Sequence, residues 1–420
     1  MEFKCGSRLE TDRIMKILQL CKKFPYPLKD GESLAVQALA KGFTGLGCEV
    51  SLLAMNTSKH WFDTSLLPEE LDFYHSIHTV EVDNRIKPFH AVCNLFTTNS
   101  YHIQRFVDRK FERKLIQLLQ KNRYDVIQLE TVFLAPYVSV IRKYSNALVV
   151  MRAHNVEHEI WERIACNSSS IKKWYLNIIT PRLKAYEVEM LNRYDGLVCI
   201  SERDMELFKK MGLNRPVTVA PIGLDARSYL PHNDSFKQKP TLAFIGSLDW
   251  MPNIEGLRWF LEEVWHPKLK NRFPDLEFHI AGRNTPDWLL QLNEPGIHVH
   301  GEVGSAQEYI LQHSVMLVPL LSGGGMRAKI LEGMALGRVV LSSKVGLEGI
   351  DALHEKEVLV ADTPDEFAES VAWCLESGPM LEAMGNQARR FFESNFEQKE
   401  IAARLANYYR EALKQHLVSV

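Results

Sequence analysis

Gly323, Gly324 and Gly325 follow the apolar run VMLVPL, and Arg327, Lys329 and Glu332 come directly after them in the stretch SGGGMRAKILEGMALG. A cation in the first turn of a helix is disfavoured by about 0.3–1 kcal/mol against the partial positive charge of the helix start, unless an anion sits between them. Two such cations beside three residues without Cβ predict an oxyanion ligand, and a phosphate fits. Glycine lets backbone N–H groups close on it, and the helix start adds donors. The spacing places Arg327 and Lys329 just inside the helix, with Glu332 one turn on. A second group lies at the end of the run ALVVMRAH, where His154 is followed by Asn155 and Glu157. An imidazole there could hydrogen-bond a substrate, act in acid/base chemistry near neutral pH, or cap its own loop.

Both groups need elements to hold them. Short apolar runs alternate with helical segments along the whole chain, which predicts an α/β protein with parallel sheets covered on both faces. Strands are expected over 15–20, 49–55, 125–130, 147–154 and 196–201, and again over 241–248, 276–282, 297–303, 315–320, 338–342 and 357–361. Two sheets of five or six strands imply two doubly wound domains. The segment PIGLDARSYLPHNDSFKQKP is rich in Pro, Asn, Asp and Lys and lacks apolar periodicity, so it reads as a linker. The expected organisation is an N-terminal extension without fixed structure (1–14), a first domain (15–220), the linker (221–240), a second domain (241–400) and a terminal helix (401–420), within one long helical stretch over 379–417, crossing back to the first domain. Ligands of open parallel sheets bind outside the carboxyl ends of the strands. That rule brings the glycine loop, Gly246 and Ser247 into one cleft with His154, and Trp250 and Gly31 to its border.

Composition narrows the chemistry. Fifty Lys plus Arg against 52 Asp plus Glu leave a formal charge of −2, so no global field favours nucleic acid and an anion must be bound locally. The seven cysteines lack metal-ligand spacing and read as reduced thiols of a cytoplasmic protein. No apolar run reaches the length of a spanning helix, and MEFKCGSRLETDRI lacks the hydrophobic core of a signal peptide. The turn after the first strand, CKKFPYPLKDG, is no GxGxxG, and neither a P-loop, a HExxH nor a GxSxG is present. Residues 105–123 and 168–184 are basic; they are either domain-covering helices with solvated outer faces or surfaces for an anionic membrane.

SGGGMRAKILEGMALGRVVLSSKVGLEGI, RAHNVEHEIWERIA and FIGSLDWMPNIEGLRWF together resemble the retaining nucleotide-sugar glycosyltransferases of the GT-B fold, in particular glycosyltransferase family 4, over nearly the whole chain. The resemblance implies two Rossmann-like doubly wound domains facing across a cleft. The second would hold a UDP- or GDP-sugar and the first would present a glycan or lipid-linked glycan acceptor. Glu332 matches the second glutamate of the family's E-x7-E motif, which binds the donor ribose, while Gly324 stands where the first would be. Ser247 and Asn253 stand where many relatives carry an Arg and a Lys aimed at the diphosphate. Arg327 and Lys329 are therefore expected to supply that charge, with Gly246, Ser247, Gly323, Gly324, Gly325 and Met326 around the donor and no metal or other cofactor. His154 is expected to hydrogen-bond the sugar, with Asn155, Glu157, Gly31 and Trp250 on the acceptor side of the cleft. The subgroup suggests bacterial surface polysaccharide assembly, in the cytoplasm or at the inner face of the membrane. Rival readings are a nucleotide-sugar epimerase on the same fold and a non-catalytic sugar-binding protein.

Overall fold

The computed structural model describes residues 13–28, 30–166 and 170–419. Expectations for residues 1–12, for 168 and 169 of the second basic stretch and for residue 420 of the terminal helix fall outside them. The first sheet has seven parallel strands: β1 (Lys16–Cys21), β2 (Glu49–Thr57), β3 (Ser76–Val82), β4 (Val126–Leu129), β5 (Leu148–Ala153), β6 (Gly196–Cys199) and β7 (Val217–Val219), in spatial order 3-2-1-4-5-6-7. The second has six: β8 (Leu242–Ile245), β9 (Phe278–Ala281), β10 (Ile297–Gly301), β11 (Val315–Val318), β12 (Val339–Ser342) and β13 (Leu359–Val360), in order 10-9-8-11-12-13. Strand order reverses between β1 and β4 and again between β8 and β11. A crevice opens at such points, at the carboxyl ends of the strands.

The first sheet is wider than its expected five strands. β3 (SIHTVEV) and β7 (VTV) lie at the two edges and are only partly buried along most of their length, so neither shows the apolar run of a central strand. Central strands such as β4 and β5 are buried at every position, as a sheet covered on both faces requires.

The helices that matter for the site are α1 (Gly31–Gly45), α2 (Arg109–Lys121), α3 (Glu157–Cys166), α4 (Ser170–Met190), α5 (Met251–Trp259), α6 (Ala328–Ala335), α7 (Gly378–Asn395) and α8 (Gln398–Ser419). α1 starts where the Asp30 carboxylate accepts from the Ser33 N–H at 2.9 Å. The basic α2 is a covering helix: Phe111, Leu115, Leu118 and Leu119 enter the first-domain core. The expected single helix over 379–417 is two. It breaks at Phe396 and Glu397, where the chain pairs with the linker: Leu224 N–H donates to Phe396 O at 3.0 Å and Gln398 N–H to Leu224 O at 3.1 Å. The two connections between the sheets thus run side by side. Beyond the break, Ile401, Ala402, Leu405, Ala406 and Tyr409 of α8 join the first-domain cluster of Ile17, Val36, Leu39 and Val50.

Candidate active site

The glycine loop lies between β11 and α6. Gly323 (φ 124°) and Gly325 (φ 74°) adopt left-handed backbone, which a side chain would strain. Arg327 has extended backbone (φ −90°, ψ 98°) and caps α6, whose first residue is Ala328. The expectation that Arg327 sits inside the helix is therefore corrected: the turn at Gly325 uses up the residues before it, and only Lys329 lies in the first turn. The Arg327 guanidinium folds back on the loop, one nitrogen donating to Gly324 O and Gly325 O, while Nε and Nη2 are buried with no protein partner. Burial lowers its pKa to about 10. Lys329 Nζ donates to Asn253 Oδ1 at 2.9 Å and lies 4.4 Å from the centre of the Phe244 ring. Burial, with the Arg327 charge adding to it, pushes the Lys329 ammonium down to about 7.

The residues after β8 close on the same point. A Cβ on Gly246 would lie 2.9 Å from Lys329 Nζ and 2.8 Å from Asn253 Nδ2, so this glycine gives the ammonium room. Asn253 donates to Ser247 O at 2.8 Å, and Ser247 Oγ to Asp249 at 2.6 Å. Asn253 thus positions the Lys329 ammonium. Trp250 is the residue before α5 and is 43% exposed, unlike Phe260 and Trp265, which are core. Glu332 accepts from the Tyr229 hydroxyl at 3.2 Å, and burial raises its carboxyl to about 7. The Met326 side chain is buried, and its methyl group stands 3.3 Å from where a Gly349 Cβ would be. It joins the apolar cluster of Leu320, Ile330, Leu347 and Ile350.

The first domain touches the loop directly. A Cβ on Gly325 would collide with the Asn155 amide oxygen and lie 3.3 Å from His154 O, and one on Gly324 would sit 3.4 Å from Ile160 in α3. Arg163 of α3 donates to Gly323 O. Gly31, at the start of α1, faces Ala328 at the start of α6, at 3.7 Å from Cβ to Cβ if it carried one. The two domains are also tied by charge, since Arg203 of the first meets Glu348 of the second at 3.0 Å. A cavity of about 910 Å³, lined by Arg163, Glu255, Ser322, Gly323 and Glu348 among others, opens beside the loop. A Cβ at residue 324 would thus stand in van der Waals contact with Ile160 and 3.5 Å from Arg163 Nη1, so α3 borders the position of the motif glutamate without filling it.

His154 is buried at the end of β5, with Nε2 2.8 Å from Glu130 Oε2. Burial outweighs that hydrogen bond and lowers the imidazole pKa, so the neutral ring donates Nε2–H and keeps its lone pair on Nδ1. Glu130 also accepts from Gln19 at 2.5 Å and from Gln128, and pairs with Arg152 at 3.4 Å. Burial alone would raise this carboxyl; Arg152 and the hydrogen bonds hold it at about 2. Tyr409 of α8 donates to Gln128 at 2.6 Å, which links the crossing helix to the histidine. Glu157 is buried beside Glu187, whose carboxylate accepts from the Glu157 and His158 N–H groups at 3.0 and 2.9 Å and so caps α3. Burial, with Glu187 and Glu32 nearby, raises the Glu157 carboxyl to about 7.

Glu130, Arg152, Gln128 and Arg163 are absent from the sequence-based candidates. The first three left a signal, because Gln128 with Glu130, and Arg152 with His154, are polar pairs two apart at the ends of apolar strands, hence on one face.

Two doubly wound domains, a cationic glycine loop at one switch point and a buried histidine network at the other define a two-domain α/β enzyme of the GT-B class. Residues 30–228 match the family described as Glycosyltransferase Family 4, and residues 239–377 that described as Glycosyl transferases group 1. The chain is a glycosyltransferase of this GT4-like kind. An uncharacterized 44.6 kDa protein in the cps region of Klebsiella pneumoniae is 23% identical over 314 residues, 70% of this chain and 76% of that protein. Among solved structures, sucrose-phosphate synthase from Thermosynechococcus elongatus superposes with a TM-score of 0.68 at 14% identity, over 96% of this chain and all of that one. HepE of Anabaena in complex with UDP gives 0.67 at 14%, over 94% and 100%. These structural likenesses establish the fold.

Proposed function

We propose that the enzyme moves a glycosyl group from a UDP- or GDP-sugar to an acceptor hydroxyl, with retention at the anomeric carbon, in the assembly of a bacterial surface polysaccharide or glycolipid. The observation that carries the reading is the Arg327 guanidinium, buried with two N–H-bearing nitrogens unpartnered beside Lys329 and a helix start. Buried N–H groups of a cation left without an acceptor are costly, and a diphosphate would satisfy them. As the bond from the anomeric carbon to the diphosphate breaks, charge grows on the phosphate oxygens, and these fixed donors stabilise it more than they stabilise the bound donor. The acceptor oxygen attacks from the same face, and its proton passes to the departing phosphate. Arg327, Lys329 and the α6 start supply the charge, and no metal takes part in the step. His154 accepts a hydrogen bond from a sugar hydroxyl on Nδ1. HepE, described in complex with UDP-glucose, and the cps-region relative support the donor class and the setting. Among the described residues no helix is long and apolar enough to cross a membrane. Exposed Ile171 and Trp174 flank Lys172 and Lys173 on α4, a pattern suited to lying on an anionic lipid face, which supports a position at the inner surface of the membrane.

The test is nucleotide release from a panel of UDP- and GDP-sugars with and without lipid-linked or glycan acceptors. Acceptor-dependent release with an α-donor giving an α-product supports the reading. Sugar isomerisation without transfer, or binding without turnover on every acceptor, would replace it by the epimerase or the binding protein. In the active enzyme, His154→Ala should lower kcat by about tenfold or more while leaving nucleotide affinity within about twofold. An equal loss of UDP or GDP binding would remove His154 from the sugar side.

Lys329 gives a second handle. Its ammonium is lowered to about 7 in the free protein, and a bound diphosphate must raise it again. Donor binding at pH near 8 should therefore take up a proton, measured by calorimetry in buffers of different ionisation enthalpy, and Lys329→Met should abolish the uptake. Binding that takes up no proton in the parent enzyme would count against Lys329 at the phosphates.

A further inference from the structure

A cluster of imidazoles lies away from the cleft, on the edge of the second sheet. β10 is the edge strand, β9 its neighbour, and their register sets His298 directly against His279. Glu277 and His279 are two apart and His298 is in register with His279, so these three stand on one face of the strand pair. The register shifts between Val299 and Gly301, and His300 joins them through its contact with His279. The His279 and His298 rings are stacked with centroids 4.6 Å apart, and His279 and His300 lie 5.3 Å apart and nearly coplanar in tilt. Glu277 Oε2 is 3.4 Å from His279 Nε2, and Glu277 Oε1 is 3.9 Å from His298 Nε2. One ligand atom from each of the three falls within 4.8 Å of the others.

Those separations are close to what a tetrahedral ion demands. With metal–ligand bonds of about 2.0–2.2 Å, ligand atoms stand about 3.3–3.5 Å apart. Glu277 and His298 are half-exposed, so rotation of their side chains can close the remaining distance without moving the strands. The outer partners are in place as well. His279 Nδ1 is 3.0 Å from His300 Nε2, so a His279 bound through Nε2 donates Nδ1–H to His300, the arrangement that fixes the tautomer of a metal-bound histidine. Behind them the His313 ring lies 4.4 Å from that of His279, tilted by 38°, holds Thr241 through Nδ1 at 2.9 Å, and keeps Nε2 buried with no partner. Sheet packing does not call for this set. An edge strand is equally well closed by threonines or valines, and those bring no converging nitrogens and no carboxylate.

We propose that Glu277, His279 and His298 bind a divalent transition-metal ion of the zinc type, with His300 as the outer hydrogen-bond partner and a fourth position open to water. Imidazole and carboxylate donors together suit Zn²⁺ and its neighbours over Mg²⁺ or Ca²⁺. The ligands lie toward the amino ends of β9 and β10, whereas the transfer cleft lies at the carboxyl ends, so the ion clips the edge strand to the sheet and takes no part in transfer. The site is independent of the donor assignment.

The experiment uses the full chain, free of any histidine tag and stripped with a chelator, titrated with ZnCl₂ by calorimetry and followed by thermal melting. One Zn²⁺ per chain should bind, and about 100 μM Zn²⁺ should raise the melting temperature, as an ion bound only by the native state must. His298→Ala, at an exposed position that carries no folding burden, should weaken binding by about tenfold or more and remove the thermal shift. His232→Ala, an exposed histidine beside Asp234, should change neither. Absence of a stoichiometric site in the parent protein, or the same affinity in His298→Ala, would overturn the proposal. With Co²⁺ as the probe, the intense visible bands of a four-coordinate ion should appear in the parent and be lost in His298→Ala; weak octahedral bands in both would equally overturn it.

Discussion

Arg327→Ala should lower kcat/KM for transfer by at least about 30-fold, equivalent to about 2 kcal/mol of transition-state stabilisation, with most of the loss in kcat. The expectation follows from where the guanidinium is held. One nitrogen is committed to Gly324 O and Gly325 O, which fixes the plane of the group, and the other two are buried without a partner. A planar fork held in this way needs no reorganisation when charge develops on the leaving phosphate, and the surrounding protein keeps water from screening it. Arg327→Lys should recover only part of the activity, because an ammonium cannot hold both carbonyls and still present two donors. Donor affinity, measured separately by calorimetry, should fall less than kcat, and the melting temperature should stay close to that of the parent. Unchanged turnover in a folded Arg327→Ala variant would show that the leaving group is stabilised elsewhere.

The glycine loop was legible because its chemistry is local. Three glycines, two cations and a helix start within eight residues stand out as a candidate anion site without knowledge of the fold, and central strands announced themselves through continuous apolar runs. What the sequence hid depends on partners far along the chain. β3 and β7 are edge strands with one solvated face, so their residues carry no periodic apolar signature strong enough to separate them from loops. The helix break at Phe396 is set by pairing with Leu224, more than 170 residues earlier, and no local breaker marks it. Gly324 could be read as a lost sugar contact, yet only the folded chain shows α3 of the other domain standing over it. The same holds for Glu130, which is recognisable as a carboxylate at the end of a buried strand but gains its role from Gln19, Arg152 and His154, on two other strands and the residue just past one of them.

That network carries the largest expected effect on stability. Glu130→Ala should destabilise the first domain by about 3–5 kcal/mol, the usual cost of removing one partner of a buried ion pair. Arg152 is 1% exposed; in the variant it would keep only Ala35 O at 3.2 Å, with Nε already unpartnered, while Gln19 and Gln128 lose their shared acceptor. The pH dependence has a definite sign. The carboxyl is at about 2 in the folded chain against 4.5 as an ordinary glutamate, so its contribution is complete above about 4.5 and is lost as pH falls toward 2. Urea unfolding at neutral pH should therefore separate parent and variant widely, and the gap should narrow in acid. Replacing both partners, Glu130→Leu with Arg152→Met, should restore much of the lost stability, because neither charge is then left buried alone. Activity should not return with it. His154 would still lack the carboxylate that fixes its Nε2–H tautomer, so kcat should remain low in the stable double variant while nucleotide affinity, which the proposed donor site assigns to the second domain, persists. A double variant that regained full turnover would mean that Glu130 serves the fold alone and that His154 is oriented by its packing.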